Sequence, residues 1–190
     1  MCYTTSINHL NREANGIMEL VEKLRHVLGF PKDGIDFIDI TTLLQDADAF
    51  REALDRLSNA ADAFGEFDYI VSPEARGFLL GAPLAYMKGK GFVPIRKAGK
   101  LPAETVSMEY DLEYGTEKIE IHKDALVPGD RVLVVDDLLA TGGTSLAAIE
   151  LLEKLGAKIV GVLFLIELEY LDGFKQMEPF NCKTLIKISE

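Results

Sequence analysis

Two segments near the start of the chain carry apolar residues at helical spacing. Within residues 17–28 the apolar positions recur at intervals of three and four, and Gly29 and Pro31 follow as stop signals. The same spacing is found in residues 50–64. Gly65 follows, and glycine readily adopts the left-handed backbone conformation that often ends a helix. The sequence therefore predicts two amphipathic helices in this region.

Short apolar runs replace helical spacing in the rest of the chain. They comprise residues 69–71, 92–95, 132–135 and 159–166, with helix-length segments around 78–82 and 146–155 between them. Alternating strands and helices of this kind predict βαβ units and a parallel sheet. Residues 104–121 differ, because polar alternation flanks a turn there and predicts an exposed antiparallel hairpin. We therefore expect an α/β fold in which a mostly parallel sheet is flanked by helices.

Composition limits the classes of protein to which the chain can belong. Its 190 residues suit one domain, which we predict to span residues 1–190. The net charge of −11 argues against nucleic acid as a partner, because phosphate backbones bind to electropositive surfaces. The longest apolar run, residues 159–166, is too short to cross a membrane.

The sulfur and imidazole side chains add two expectations. The two cysteines, Cys2 and Cys182, lie far apart in the sequence, which suits a reducing compartment and predicts a cytoplasmic protein. The three histidines are scattered without the spacing of metal ligands. We therefore expect no transition metal bound directly by the protein.

The stretch RVLVVDDLLATGGTSLA carries the most informative chemistry. Ligands of open parallel sheets bind beyond the carboxyl ends of the strands. Asp136 and Asp137 come directly after the predicted strand VLVV and are therefore expected at such an end. The next segment, residues 140–144, combines glycines, hydroxyls and a helix start, and such a segment can bind an anion. It lacks the lysine of a Walker A loop. The carboxylates then need hydroxyls or a divalent cation as partners, so a phosphorylated sugar fits; the alternative is a solvated turn and a helix cap.

The run VLVVDDLLATGGT resembles the phosphoribosyl-pyrophosphate signature of the type I phosphoribosyltransferases, in the form closest to the members that use adenine. The resemblance implies a central sheet flanked by helices, with a flexible hairpin lid at residues 104–121 and a small hood. It also implies that Asp136 and Asp137 take the ribose 2- and 3-hydroxyls and stabilise developing positive charge. The residues that would hold the ribose 5-phosphate are Ala140, Thr141, Gly142, Gly143 and Thr144.

Two basic elements match the same family. Arg76 lies in SPEARGFLLGA, near a predicted helix start, where a guanidinium can clamp a phosphate through two hydrogen bonds. On local sequence alone Arg76 could equally pair with Glu74 or Glu66, and the basic run FVPIRKAGKLP could be a solvated turn. The resemblance of ARGF and RKxGKLP to family elements favours pyrophosphate contacts and positioning of the lid, and it assigns substrate binding to Arg76, Arg96, Lys97 and Lys100.

The tip of the predicted hairpin carries LEYG, which separates the adenine-using members from their relatives. By this resemblance Glu113 exchanges a proton with the base as its N9 attacks C1 of the sugar, and Tyr114 helps to close the lid. Without the resemblance, Glu113 would be interpreted as a solvent-facing turn residue. Glu109 and Tyr110 have a similar composition, but their neighbours do not match the family element.

The resemblance places the base pocket at Phe37, Ile38 and Leu168. Apolar side chains around a flat heterocycle are typical of such pockets. Two positions depart from the family pattern, which commonly has an apolar residue where this chain has Asp36 and arginine where it has Ile38. Residues 1–15 have no counterpart and are expected to be an N-terminal extension.

The implied activity is purine salvage, in which adenine and 5-phosphoribosyl 1-pyrophosphate give AMP and pyrophosphate. Glu113, Asp136 and Asp137 would be the catalytic residues, Mg²⁺ would arrive on the substrate, and the enzyme would be a homodimer. Three alternatives stay open at this point. They are a transferase for hypoxanthine, guanine or xanthine, a regulator that senses phosphoribosyl pyrophosphate without catalysis, and a flavodoxin-like binding module.

Overall fold

The computed structural model describes Gly16 and residues 19–112 and 115–189. The chain divides into two compact units, one ending at Arg56 and the other beginning at Leu57. Nine strands, numbered β1 to β9, and five α-helices, numbered α1 to α5, have defined bounds within these residues. No helix in the described ranges is long and apolar enough to cross a bilayer.

The first unit contains a two-stranded antiparallel sheet. Strand β1 (Arg25–Leu28) pairs with β2 (Asp36–Asp39) so that Arg25 lies opposite Asp39. Arg25 and Asp39 form an ion pair, and the Asp39 carboxylate also accepts a hydrogen bond from the Thr41 backbone N–H at 2.8 Å. The short helix α1 (Thr41–Gln45) follows directly.

The helix predicted for residues 17–28 is wrong over its second half. Residues 19–21 are helical, but residues 25–28 form β1. Leu28, which counted towards an apolar helix stripe, is 82% exposed, whereas Leu20 and Leu24 are buried. The spacing alone could not reveal that β2 offers this segment a partner for its backbone hydrogen bonds.

The second unit is built on a seven-stranded sheet in the order β5-β6-β4-β3-β7-β8-β9. Its parallel part comprises β4 (Gly91–Lys97), β3 (Tyr69–Pro73), β7 (Arg131–Leu139), β8 (Lys158–Leu168) and β9 (Cys182–Ile188). The four predicted strands are confirmed, and β9 is an additional one that the apolar runs did not reveal. The Val132, Leu133, Val134 and Val135 side chains of β7 are completely buried, as both faces of a parallel sheet require.

Helices connect these strands as the alternation predicted. Helix α3 (Arg76–Lys88) follows β3, and α4 (Gly143–Lys154) follows β7. The predicted helix at 50–64 is α2 (Ala47–Asp62), after which Gly65 adopts φ +74°. A 3₁₀ turn (Glu169–Leu171) and the short helix α5 (Gly173–Met177) lie between β8 and β9.

The predicted hairpin is confirmed as β5 (Thr105–Leu112) paired with β6 (Gly115–His122). It extends the sheet through antiparallel pairing of β6 with β4. Its mobility stays a prediction. The sheet, its order and the flanking helices confirm the predicted fold class.

Candidate active site

The carboxyl ends of the neighbouring strands β3 and β7 meet at one edge of the sheet. The chain leaves β3 through a cis peptide bond between Glu74 and Ala75 and enters α3 at Arg76. It leaves β7 through residues 140–142 and enters α4 at Gly143. Residues 74–76 and 136–145 line a cavity of about 670 Å³. The predicted carboxylates, the predicted anion loop and Arg76 are therefore brought together.

The two aspartates lie within β7, slightly earlier than the predicted position just beyond the strand. Asp137 is 3% exposed, and its backbone N–H donates a hydrogen bond to Oδ1 of Asp136 at 2.9 Å. Loss of solvent around the carboxyl group raises the pKa of Asp136 well above its usual value, and the adjacent Asp137 charge adds to this effect. Loss of solvent also raises the pKa of Asp137, against the opposing effect of Arg76. Hydrogen-bond donors or a cation at this site would stabilise the ionised form of the two carboxyl groups.

Arg76 contacts one of these carboxylates. Its Nε atom lies 2.8 Å from Oδ2 of Asp137, a partner that local sequence did not suggest. The first turn of α3 approaches the pair closely, since a Cβ on Gly77 would lie 2.7 Å from Oδ1 of Asp136. Glycine at this position therefore keeps the start of α3 against the end of β7.

Glu74 organises two of the predicted basic residues. Its carboxylate lies 2.5 Å from Nε of Arg96 and 2.7 Å from Nζ of Lys100, and its side chain is 8% exposed. Burial raises the pKa of Glu74, but the hydrogen bonds from Lys100 and Arg96 outweigh it and lower the pKa from 4.5 to about 2. Glu74 also lines the cavity, so Arg96 and Lys100 are held at the site by this carboxylate, although residues 97–100 are exposed and residues 98–99 form a turn.

Lys97 has a different partner. Its Nζ atom lies 2.6 Å from Oε1 of Glu117 on β6, and this hydrogen bond raises the pKa of Lys97 above 10.5. The structure therefore places Lys97 at the junction between β4 and the hairpin, whereas Arg96 and Lys100 lie against Glu74.

The predicted anion loop is supported from behind by α5. Gly142 adopts φ +89° at the start of α4, a conformation that favours glycine. A Cβ on Gly173 would lie 1.9 Å from the carbonyl oxygen of Ala140, so only glycine allows α5 this close to the loop. Gly173 and Glu74 were not predicted as site residues, because both act through partners that the strand order brings near.

The remaining predicted residues fall into three places. Glu113 and Tyr114 lie outside the described residues. Phe37 and Ile38 lie on β2 in the first unit, where Ile38 is 3% exposed and the Phe37 ring meets Phe30 edge to face at 5.2 Å. Leu168 is the last residue of β8 in the second unit and is 6% exposed.

Asp36, one of the two departures from the family pattern, has a local partner in His26. Their Oδ2 and Nδ1 atoms lie 2.6 Å apart across the β1–β2 pair. Among the described residues, no group of three or more His, Cys, Asp or Glu side chains is arranged to hold a metal ion.

Comparison with known proteins identifies the family. The phosphoribosyl transferase domain model matches residues 39–189. The adenine phosphoribosyltransferase of Ruminiclostridium cellulolyticum is 56% identical over 170 residues, covering 90% of this chain and 99% of the relative. That of Acetivibrio thermocellus is 54% identical over 170 residues, with the same coverage of 90% and 99%.

Solved structures agree with the sequence comparison. The adenine phosphoribosyltransferase of Thermoanaerobacter pseudethanolicus superposes with a TM-score of 0.87 at 53% identity, covering 90% of this chain and 99% of that one. The Saccharomyces cerevisiae enzyme, solved with an imino-altritol bisphosphate and adenine, gives a TM-score of 0.86 at 40% identity and coverage of 90% and 99%. The resemblance carried by VLVVDDLLATGGT is confirmed. The chain belongs to the phosphoribosyltransferase family, among relatives that are adenine phosphoribosyltransferases.

Proposed function

We propose that this protein transfers the 5-phosphoribosyl group from phosphoribosyl pyrophosphate to adenine and releases AMP and pyrophosphate. The observation that carries the proposal is that two solvent-poor carboxylates, Asp136 and Asp137, line the same cavity as the loop at residues 140–144. A sugar phosphate has an anionic end for the loop and hydroxyls for the carboxylates. Relatives that are 54–56% identical to this chain carry this activity in their names.

The loop and helix α4 are proposed to hold the ribose 5-phosphate. Helix α4 begins at Gly143, so its first backbone N–H groups have no partner within the helix and its dipole favours an anion there. Ala140, Thr141, Gly142, Gly143 and Thr144 are the proposed ligands. Hydroxyl donors in this segment add directional hydrogen bonds to the phosphate oxygens.

The carboxylates are proposed to accept the ribose 2- and 3-hydroxyls and to stabilise an oxocarbenium-like centre at C1. Their raised pKa values reflect an environment that disfavours unpaired negative charge. Hydroxyl donors and developing positive charge supply what that environment lacks. We therefore assign to Asp136 and Asp137 the stabilisation of the positive charge that develops at C1 in the transition state.

The departing pyrophosphate is proposed to be neutralised by Arg76, Arg96, Lys97 and Lys100. In this structure each has a carboxylate partner, Asp137 for Arg76, Glu74 for Arg96 and Lys100, and Glu117 for Lys97. Binding the pyrophosphate exchanges these partners for phosphate oxygens. Mg²⁺ carried on the substrate oxygens supplies further charge neutralisation, in keeping with its preference for polyphosphate and water ligands.

Glu113 and Tyr114 are proposed to act from the hairpin tip, with Glu113 taking the proton that the base loses as N9 attacks C1. Phe37, Ile38 and Leu168 are proposed to contact the base. Relatives solved with adenine or 9-deazaadenine support a purine as the acceptor.

The assembly is proposed to be a cytoplasmic homodimer. Leu79, Tyr86 and Met87 on α3 are 44%, 88% and 42% exposed, an apolar set that a second copy could cover. Light scattering of the purified protein should give twice the mass of one chain. A monomer at micromolar concentration would contradict this part of the proposal.

A panel of bases tests the activity and the base preference together. Adenine, hypoxanthine, guanine and xanthine are each incubated with phosphoribosyl pyrophosphate and Mg²⁺, and pyrophosphate release is measured. Release with adenine alone is expected. Release with another base would reassign the acceptor to the alternative suggested by Asp36 and Ile38, and none with any base would contradict the transferase function.

A further inference from the structure

Tyr110 lies on the face of the hairpin that packs against the core of the second unit. Val106, Met108 and Tyr110 alternate along β5 and are partly buried against a cluster that includes Ala147 and Leu151 of α4. Side chains two residues apart in a strand share a face, so this face of β5 rests on α4. Tyr110 is the polar member of the set and the nearest to the start of α4.

A chain of polar contacts runs from the anion loop through Tyr110 to β4. The Thr144 hydroxyl donates to the Tyr110 oxygen at 3.3 Å, and the Tyr110 hydroxyl donates to Oε2 of Glu117 at 3.3 Å. The other oxygen of Glu117 accepts from Lys97 at 2.6 Å. Tyr110 and Glu117 are direct cross-strand partners in the hairpin. One phenol therefore connects a proposed ligand of the 5-phosphate to a proposed ligand of the pyrophosphate.

The phenol can remain bonded to Thr144 whether or not the loop holds a phosphate. Burial raises the pKa of Tyr110, so its oxygen keeps its proton near neutral pH. A phosphate oxygen only accepts, so Thr144 would turn its single proton to the phosphate and offer a lone pair to Tyr110. Tyr110 would then donate to Thr144 instead of Glu117, and hydrogen bonds aligned in one chain strengthen one another.

We propose that Tyr110 is a positioning residue for phosphoribosyl transfer, which holds the Thr144 hydroxyl in place for the 5-phosphate and ties the hairpin to the occupied loop. This inference rests on the proposed function, because it assigns Thr144 to the phosphate. It also gives a role to Tyr110, whose neighbours in the sequence do not match the family's LEYG element.

The first test is Tyr110→Phe, which removes the hydroxyl and keeps the ring that packs on α4. Calorimetric titration with ribose 5-phosphate should show affinity about three- to tenfold weaker, the range that one hydrogen bond supplies. The KM for phosphoribosyl pyrophosphate should rise by the same factor while the KM for adenine stays unchanged. Met108→Leu, on the same face of β5, is the matched control and should leave both values as they are.

The second test asks whether Tyr110 acts through Thr144. In a Thr144→Val background, Tyr110→Phe should cause no further loss of ribose 5-phosphate affinity, because the shared hydrogen bond is already absent. An equal loss in both backgrounds would overturn the proposal, and so would unchanged affinity of the single variant.

The outcomes separate this inference from the proposed function. Wild-type protein that binds ribose 5-phosphate and turns over adenine, together with a Tyr110→Phe variant that behaves identically, overturns the role of Tyr110 alone. Wild-type protein that does neither overturns both. Hydrogen exchange adds an independent measurement, since ribose 5-phosphate should slow exchange in residues 105–112 of the wild type and do so less in Tyr110→Phe.

Discussion

The Nε atom of Arg76 lies 2.8 Å from Oδ2 of Asp137, and the side chain of Asp137 is 5% exposed. Arg76, which is proposed to bind the pyrophosphate, thus compensates the charge of Asp137, which is proposed to bind the ribose hydroxyls. Arg76 cannot be removed without leaving that carboxylate in a solvent-poor site with less positive charge nearby.

Arg76→Gln is expected to lower the free energy of unfolding by about 1–3 kcal/mol, the cost of leaving a buried polar group poorly satisfied. Urea unfolding near neutral pH measures the change. Adding Asp137→Asn should recover part of the loss, because the buried charge is then gone. A double variant less stable than the sum of the two single changes would contradict a compensating pair.

Asp136→Asn is expected to stabilise the fold near neutral pH while lowering activity. The pKa of Asp136 is raised in the folded protein, so the folded state binds the proton more tightly than the unfolded state does. The contribution of Asp136 to stability is therefore fully present below pH 3.8 and is lost as pH rises through the folded-state pKa. The gain in melting temperature should be largest near neutral pH and should vanish in acid. The opposite trend would contradict the direction of this pKa shift.

Replacing both Asp136 and Asp137 by Asn should reduce turnover by at least about 100-fold, the scale on which preorganised charge stabilisation acts. The circular dichroism spectrum should be unchanged, since the amides have nearly the shape of the carboxylates. Pyrophosphate release with adenine measures turnover. Near-normal activity would remove the role assigned to the pair.

Glu74→Gln is expected to destabilise the protein near neutral pH. The pKa of Glu74 is lowered to about 2 in the folded state, so its contribution to stability is present above pH 4.5 and is lost as pH falls towards 2. The melting temperatures of wild type and variant should therefore converge in acid. A difference that stays constant with pH would show that the contacts with Arg96 and Lys100 do not depend on the charge.

Gly173→Ala is expected to raise the KM for phosphoribosyl pyrophosphate by about 10- to 100-fold. The added Cβ would lie 1.9 Å from the Ala140 carbonyl oxygen, so the loop or α5 must move, and small displacements of binding groups are costly. Lys175→Ala, on the same short helix with a side chain 69% exposed, is the matched control and should have no effect. Equal KM values for the two variants would contradict support of the loop by α5.

Glu113→Gln is expected to lower kcat by about 10²- to 10⁴-fold and to change the KM for either substrate little, as loss of a general acid/base group does. Glu109→Gln provides a control of similar composition on the same hairpin, where the Glu109 side chain is 68% exposed. Steady-state rates with adenine and phosphoribosyl pyrophosphate give kcat and the KM values for the two variants. Equal rates for wild type and Glu113→Gln would return Glu113 to a surface role.

The local part of the site could be predicted from sequence. A strand buried on both faces must be a continuous apolar run, and β7 is one. The left-handed Gly142 and the start of α4 at Gly143 follow from glycines in the loop. Each of these features depends on residues adjacent in the chain, so the run from Val132 to Thr144 was sufficient to indicate them.

The partners of these residues could not be predicted, because they depend on which strands are neighbours. Glu74 meets Arg96 because β3 pairs with β4, and Glu117 meets Lys97 because β6 pairs with β4. Tyr110 reaches Thr144 because β5 lies over α4. In the sequence, nothing in the neighbours of Tyr110 indicates that it belongs to the site.

Three strands, β1, β2 and β9, escaped prediction. Strand β9 lies at the edge of the sheet, where Lys183 and Lys187 interrupt the apolar run of CKTLIKI. Strand β1 owes its conformation to its ladder with β2, while its own spacing favoured a helix.

The hairpin joins the rest of the sheet through a short stretch of antiparallel pairing between β6 and β4. Within the described residues, β6 pairs with β4 at Arg96 opposite Glu120 and at Lys97 opposite Ile119. From Ile119 to Gly115 the strand extends about 13 Å at its usual rise of about 3.3 Å per residue. A bend of about 10° in this short pairing would therefore displace Gly115 by about 2 Å, which is enough to break a hydrogen bond, and the packing of β5 on α4 opposes such a bend. If Glu113 acts from the hairpin tip as proposed, the pairing at residues 96–97 and 119–120 therefore helps to set where that carboxylate lies, although it is far along the strand from the reacting atoms.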